Sequence, residues 1–256
     1  MSRGKSRKTS RSRRTEATDT AAQLAEGMAC HQLGQLEKAE AIYRQVLEAE
    51  PDNPGALHYL GVVQLQSRRF DDAAGLIERS VAVNPDDANS LNNLGQAYES
   101  LGRPNDAAGA YRRALAVDPG SVAAHSNLGN VLGGQGSTAE AIACYRRALE
   151  TVPDDVEVLS NLGGMLSAAG EVEEAVRHLS RAHEIAPGEP VILFNLGNAL
   201  KENGSLGEAA GCYERALAID PSNPEFLCNL GSALLADGDP DGAASAFERA
   251  LAVDPA

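Results

Sequence analysis

The apolar positions of the chain form short helical stripes that return every 34 residues. Residues spaced three or four apart share one face of a helix that turns by about 100° per residue. Over residues 88–121 two such stripes follow each other, the first at Leu91, Leu94, Gly95 and Tyr98 and the second at Ala107, Tyr111 and Ala114. The pattern predicts two amphipathic helices in each 34-residue period.

Small residues and prolines mark the same positions in every period. Counting a recurrent glycine as the eighth position places repeats at 20–53, 54–87, 88–121, 122–155, 156–189, 190–223 and 224–256. The eighth position holds Gly27, Gly61, Gly95, Gly129, Gly163, Gly197 and Gly231, and the twentieth holds Ala39, Ala73, Ala107, Ala141, Ala175, Ala209 and Ala243. A proline ends each period because it lacks the N–H that a continuing helix needs. The small residues predict a close helix crossing, which a larger side chain would push apart.

The third copy carries a recognisable set of markers, namely Leu94, Gly95, Tyr98, Ala107, Tyr111, Ala114 and Pro119. Their order and spacing resemble the tetratricopeptide repeat (TPR), and the resemblance covers residues 20–256. It implies an all-α fold, a right-handed superhelical solenoid of seven helix-turn-helix units whose first helices line a concave groove. Two departures stand out: Gln23 and Glu26 replace apolar residues in the first copy, and Tyr59 replaces an asparagine in the second.

Asparagines follow the repeat on the face of the first helix opposite its packing stripe. The sixth position holds Asn93, Asn127, Asn161, Asn195 and Asn229, and two more lie at the ninth, Asn130 and Asn198. An amide can pair with both the C=O and the N–H of a peptide backbone. These seven residues are therefore the candidate peptide-binding groove, although an amide at the sixth position could equally serve the scaffold. The neighbouring fifth position holds no Lys or Arg, so a clamp for a C-terminal carboxylate is not expected.

The charge is divided along the chain. Residues 1–14 carry seven basic residues and no acidic one, which predicts a disordered basic tail over 1–19. The remaining 15 basic residues stand against 36 acidic ones, a net charge of −21, compared with −14 for the whole chain. The tail could bind nucleic acid or anionic lipid, or remain a solvated extension against the acidic body. The acidic body argues against nucleic acid as the main ligand and favours a basic, extended partner.

Location and chemistry are predicted mainly by what the sequence does not contain. It has no membrane-length apolar run and no apolar segment behind the basic cluster, and its four cysteines are sparse, so a cytoplasmic setting is expected. Cys144, His178 and Cys212 share the twenty-third position, but helices about 8–10 Å apart cannot bring three such groups to one zinc ion. The histidines His31, His58, His125 and His183 show no shared spacing. No catalytic site, cofactor, metal or small-molecule substrate is predicted.

These observations favour a protein-interaction scaffold that binds a peptide or partner protein in its concave groove. The alternative is an enzyme fragment, because "AAHSNLGNVL" and "NLGNALKENGSLGEAAGCYERALAIDP" resemble the TPR half of O-GlcNAc transferase-type proteins, whose repeats select substrates for a separate catalytic domain. A third interpretation is self-association through the C-terminal end. The last helix carries apolar residues like an internal copy, so we expect the natural protein to continue past 256 or another chain to cover this face; the residues are Ala243, Ala244, Phe247, Ala250 and Leu251.

Overall fold

The computed structural model describes residues 20–254, which form fourteen α-helices and no strand. The helices are α1 (20–32), α2 (Leu36–Ala49), α3 (Pro54–Gln66), α4 (Phe70–Val83), α5 (Ala88–Ser100), α6 (Pro104–Val117), α7 (Val122–Gly134), α8 (Thr138–Thr151), α9 (Val156–Ala168), α10 (Val172–Ile185), α11 (Pro190–Glu202), α12 (Leu206–Ile219), α13 (Pro224–Asp237) and α14 (Pro240–Val253). They make seven helix-turn-helix repeats, which confirms the predicted all-α repeat fold. The predicted basic tail lies outside the described residues.

Two compact units divide the described chain, residues 20–124 and residues 125–254, with the boundary inside α7. The first unit contains the pairs α1–α2, α3–α4 and α5–α6. The second contains most of α7 together with α8 and the pairs α9–α10, α11–α12 and α13–α14. Within each unit, successive helices pack against each other along the chain.

At most repeat junctions, a side chain at the thirty-fourth position caps the first helix of the following repeat, whereas Glu189 makes no such hydrogen bond. Asn53 Oδ1 accepts a hydrogen bond from the Ala56 N–H at 3.0 Å, and Asp155 Oδ1 accepts one from the Val158 N–H at the same distance. The first N–H groups of a helix have no partner within it, and a side-chain oxygen at this position supplies one. The Asp155 cap thereby helps to position α9, which carries Asn161.

A left-handed residue ends the turn between the two helices of each unit. Glycine fills this position in six of the seven repeats, with φ between 68° at Gly102 and 90° at Gly238. The second repeat places Arg68 there, with φ of 59°. Glycine adopts this conformation without steric cost, whereas a residue with a Cβ does not. The turn after α3 is therefore strained in a way that the other six are not.

The helix crossing in each unit is built from the glycine at position eight and the bulky residue at position twenty-four. A Cβ placed on Gly163 would lie 2.5 Å from Leu179 Cγ, and one on Gly231 would lie 2.7 Å from Phe247 Cε1. In all seven repeats, a Cβ added to the eighth-position glycine would lie less than 3.0 Å from the side chain at position twenty-four. Tyr43, Tyr111 and Tyr213, which fill the same position in other units, are 0% exposed. In each repeat, the large side chain at position twenty-four therefore packs directly against the backbone of the first helix at the eighth-position glycine.

The last helix has both a buried and an exposed apolar side. Ala243, Ala246 and Ala250 are buried against α13, whereas the Leu251 side chain is 60% exposed. Self-association through this end stays a prediction.

Adjacent glycines on α9 provide a matched test of the helix crossing. We expect Gly163→Ala to lower the free energy of unfolding by about 1–3 kcal/mol, because its new Cβ overlaps Leu179. Gly164→Ala should instead leave stability unchanged or raise it by about 0.5–1 kcal/mol, because no atom lies within 4 Å of the added carbon. Urea unfolding followed by circular dichroism measures both. Equal effects of the two substitutions would show that the crossing does not limit residue size.

The strained turn provides a second test. Replacing Arg68 with glycine should stabilise the chain by up to about 1 kcal/mol, because the left-handed conformation no longer opposes a Cβ. Gly102→Ala, in the equivalent turn of the next unit, should destabilise by a similar amount. Thermal melts of both variants measure the change, and a destabilising Arg68→Gly would mean that contacts of the arginine outweigh the backbone strain.

Candidate functional site

In the first unit, the predicted groove residue Asn93 is part of a hydrogen-bonded network that reaches into the core. Asn93 Nδ2 lies 3.2 Å from His58 Nε2, and His58 is only 8% exposed. The other ring nitrogen, Nδ1, contacts Ser90 Oγ and lies 3.7 Å from Asp87 Oδ2. Ser90 Oγ donates to Asp87 Oδ2 at 2.6 Å.

The donors and acceptors of this network select one tautomer of His58. Ser90 uses its hydroxyl proton on Asp87, so its oxygen accepts from His58 Nδ1–H, and His58 Nε2 then accepts from the Asn93 amide. The imidazole is therefore neutral. Burial lowers the pKa of His58, although the Asp87 carboxylate acts in the opposite direction. As a consequence, the Asn93 amide is held with its Nδ2 turned toward the ring.

A cavity of about 660 Å³ adjoins this network between the first helices of the unit. Met28, Tyr59 and Val62 form an apolar part of its wall, and Asp87, Asn89 and Asn93 form a polar part. His31 from α1 lines it too, and its Nε2 lies 3.0 Å from Gln66 Oε1 on α3. Asp87 is the one Asp, Glu, Lys or Arg among the described residues that line the cavity.

The Tyr59 ring is fixed by aromatic contacts on both α2 and α3. It stacks on Tyr43 with the ring centroids 5.9 Å apart and meets the edge of His58 at 5.0 Å. Tyr59 occupies the sixth position, where the five following repeats carry asparagine, so the first unit has an aromatic ring beside Asn93 in place of a second amide.

In the second unit, neighbouring asparagines contact each other directly. Asn161 Nδ2 on α9 donates to Asn130 Oδ1 on α7 at 3.1 Å, and the same oxygen accepts from the Tyr145 hydroxyl at 2.6 Å. Tyr145 is the core residue that rests on Gly129. The Asn130 carbonyl is therefore used inside the fold, while Asn161 is held by the pair.

A smaller cavity of about 250 Å³ opens beside this pair. Its walls include Ser160, Asn161, Asn195 and Met165 together with three glycines. A Cβ added at Gly164 would meet nothing within 4 Å, whereas one at Gly133 would lie 3.0 Å from Met165 Sδ. The helix backbone is thus open to close approach at Gly164, next to two amides.

The remaining predicted residues are placed differently. Asn198 Oδ1 accepts from the Tyr213 hydroxyl at 2.7 Å, as Asn130 does from Tyr145. Asn229 Nδ2 donates to the Glu225 carbonyl of its own helix at 3.0 Å, and its Oδ1 accepts from Lys201 Nζ at 2.9 Å. Asn127 is half-buried on α7. The ninth-position asparagines therefore have a clear structural role, and the sixth-position asparagines Asn93, Asn161 and Asn229 make different contacts within the fold. That the sixth-position series binds a peptide stays a prediction.

The His58 network was missed by the sequence analysis. His31 and His58 were expected to share no geometry, yet both line the first-unit cavity. The only available signal was Asp87 followed three residues later by Ser90, a spacing that reads equally well as an ordinary helix start. Cys144, His178 and Cys212 lie on α8, α10 and α12, and among residues 20–254 no group of three or more His, Cys, Asp or Glu residues is arranged to hold a metal ion. Within the same residues, every helix falls short of the length and apolarity that crossing a membrane requires.

Comparison with known families places the repeats in a class. Tetratricopeptide-repeat families match residues 126–190, 197–238 and 224–256. The chain is therefore a tetratricopeptide-repeat protein. The family described as the cilia and flagella-associated protein 70 C-terminal domain matches residues 16–157, more than half of the chain, and the chain belongs to this family.

Solved structures share the fold at low sequence identity. YrrB, described as a TPR protein with an unusual peptide-binding site, is 22% identical with a TM-score of 0.64 over 71% of this chain and 94% of YrrB. PilW, described as a widely conserved type IV pilus biogenesis factor, is 21% identical with a TM-score of 0.70 over 79% of this chain and 94% of PilW. PilF of Pseudomonas aeruginosa is 20% identical with a TM-score of 0.69 over 79% and 92%. No curated protein matches the chain.

The lowered pKa of His58 predicts a pH dependence of stability. In the unfolded chain His58 has its ordinary pKa of 6.5. In the folded chain the pKa of His58 is lower, so the imidazole takes up its proton only at lower pH. The contribution of His58 is therefore complete above about pH 7 and is lost as the pH falls through the folded pKa. His183 acts in the same direction, because burial and Arg215 lower its pKa as well.

The measurement compares urea unfolding of the natural chain and of His58→Gln between pH 8 and pH 5. The natural chain should lose more stability on acidification than the variant, because glutamine stays neutral throughout. An NMR titration should place the His58 midpoint below 6.5. Equal slopes for both chains, or a midpoint above 6.5, would contradict the neutral network.

Proposed function

We propose that the chain is a protein-interaction scaffold that binds an extended peptide segment along the exposed faces of its first helices. The observation that supports it best is the second-unit cavity, where Asn161 and Asn195 adjoin an open stretch of helix backbone at Gly164. A peptide backbone presents alternating N–H and C=O groups, and each amide side chain offers two donors and an acceptor. Two amide side chains beside the open helix backbone at Gly164 can therefore pair with the backbone groups of an extended peptide.

The hydrogen bonds of the cavity support the same proposal. Asn161 uses its Nδ2 on Asn130, so its Oδ1 is the acceptor that it presents elsewhere. No side-chain hydrogen bond of Asn195 to another residue in 20–254 occupies its amide. The two residues together supply a fixed acceptor and a group that can turn to donate or accept. This combination recognises backbone and is largely indifferent to side-chain sequence.

Charge adds a preference among partners. The net charge of residues 15–256 is −21, which attracts basic segments and raises their rate of encounter. A similar fold in YrrB, whose description names a peptide-binding site, is compatible with this use of the repeats. The alternative, that the repeats recognise substrates for an O-GlcNAc transferase-like enzyme, stays a prediction, because no observation on the described residues favours it over a scaffold.

The proposal is tested with Asn161→Ala combined with Asn195→Ala. Peptides selected from a random 12-residue phage library on the natural chain, then synthesised with a fluorescent label, are measured by anisotropy. We expect the double variant to bind at least about tenfold more weakly, since loss of two or three hydrogen bonds of about 0.5–1.5 kcal/mol each amounts to that. Asn203→Ala, at the exposed end of α11, is the control and should bind normally.

A steric variant separates binding from folding. Gly164→Leu places a side chain in the cavity where the added Cβ meets no atom, so the melting temperature should hold while peptide affinity falls. If the asparagine variant melts much lower yet binds as before, and Gly164→Leu also binds as before, the amides belong to the scaffold and the proposed groove is wrong.

A further inference from the structure

The first-unit cavity differs from the second-unit cavity in chemistry and calls for a different ligand group. The second-unit cavity presents amides beside exposed helix backbone, whereas the lining of the first-unit cavity combines the apolar side chains of Met28 and Val62 and the Tyr59 ring with Asp87 and Asn93. Its volume of about 660 Å³ falls within the ~300–1,000 Å³ of typical ligand pockets. The Tyr59 ring replaces the asparagine that would contact a backbone.

The polar end of the cavity presents acceptors. Asn93 turns its Nδ2 toward His58, so its Oδ1 is left to accept a hydrogen bond. Asp87 accepts from the Asn89 N–H at 3.1 Å and from Ser90 Oγ at 2.6 Å, and these two bonds fix the carboxylate in place. A carboxylate oxygen accepts more than one hydrogen bond. The His58 network thus orients a carbonyl and a carboxylate in a cavity that Met28, Tyr59 and Val62 also line.

We propose that this cavity binds the long cationic side chain, lysine or arginine, of a basic partner peptide. The methylene stem packs against Met28 and Val62, the Tyr59 ring adds further apolar surface, and the cationic head donates to Asp87 and Asn93. The inference rests on the proposed scaffold function and names the partner's chemistry: an extended segment with a basic residue at the position that reaches this cavity.

Charge complementarity decides between this occupant and an apolar side chain. Asp87 is the one charged side chain among the described lining residues, so nothing in the wall neutralises it. An apolar occupant would cover the carboxylate and the Asn93 carbonyl without replacing their water, which is unfavourable. An acidic occupant would face like charge. A cation replaces the lost water with charge-assisted hydrogen bonds, which are stronger than neutral ones.

The experiment uses the full chain on an array of nine-residue peptides. The central residue is lysine, arginine, norleucine or glutamate, and the flanking positions are equal mixtures of Gly, Ala and Ser. Norleucine has the apolar stem of lysine without its charge. We expect lysine and arginine peptides to bind at least fivefold more of the natural chain than norleucine or glutamate peptides. The basic residues 1–14 are present in every variant, so their background is common to all.

A matched pair of variants assigns the preference to the cavity. Asp87→Asn keeps an oxygen to cap α5 but removes the charge, and should reduce the preference for lysine over norleucine to less than twofold. Asp155→Asn makes the same change at the equivalent cap of α9, where the Asp155 oxygen accepts from Val158 N–H, and should leave the preference intact. Melting curves verify that both variants fold.

An exposed position provides a second readout that does not depend on the cap. Asn89 lies at the rim of the cavity, so Asn89→Asp should strengthen the lysine preference and Asn89→Lys should weaken it. Equal binding of norleucine and lysine, or an equal loss in Asp155→Asn and Asp87→Asn, would overturn the inference. If peptides still bind and still depend on Asn161 and Asn195, that result leaves the scaffold proposal standing. If peptide binding did not depend on Asn161 and Asn195, the scaffold proposal would also be overturned.

Discussion

The contact between a glycine on the first helix and a large side chain on the second is the constraint on which the rest of the structure depends. At Gly163 the added Cβ would lie 2.5 Å from Leu179 Cγ, so the two backbones cross at a distance that no larger residue permits. Dense interiors cannot absorb even one extra carbon without displacement. The same contact fixes the rotation of each first helix about its axis, because the glycine must face the second helix. It thereby decides which side of the first helix remains open.

That open side carries the chemistry, and its asparagines are not equivalent. The ninth-position residues Asn130 and Asn198 accept hydrogen bonds from core tyrosines, so they couple the groove to the helix crossing. The sixth-position residues are more varied. Asn93 pairs with a histidine, Asn161 with another asparagine, and Asn229 with its own helix and a lysine. A regular sequence motif therefore produces an irregular surface, which is a basis for selective recognition on a repeated scaffold.

The first unit shows how a few substitutions specialise one repeat. His58 and Ser90 occupy positions where the other copies carry different residues, and together with Asp87 they form a largely buried polar network beside the first-unit cavity. Buried polar groups are stable only when each donor and acceptor is paired. Here the pairing requires a neutral imidazole, and burial supplies it by lowering the pKa of His58. The network stabilises the orientation of Asn93 and leaves Asp87 as an unneutralised charge in the cavity, which together define the surface available to a partner.

The sequence by itself determined the helical repeat, because periodic apolar stripes, Gly at position eight, Ala at position twenty and a terminal proline are local signals that repeat seven times. It also placed the asparagines on the face away from the core, since that follows from helical spacing alone. Only the tertiary structure decided what each asparagine contacts. Several of those contacts join residues 28 to 35 positions apart on separate helices, such as Asn130 with Asn161 and His58 with Asn93. The cavity that combines α1, α3 and α5 has the same origin, because its walls come from three repeats whose side chains meet only after the helices have packed.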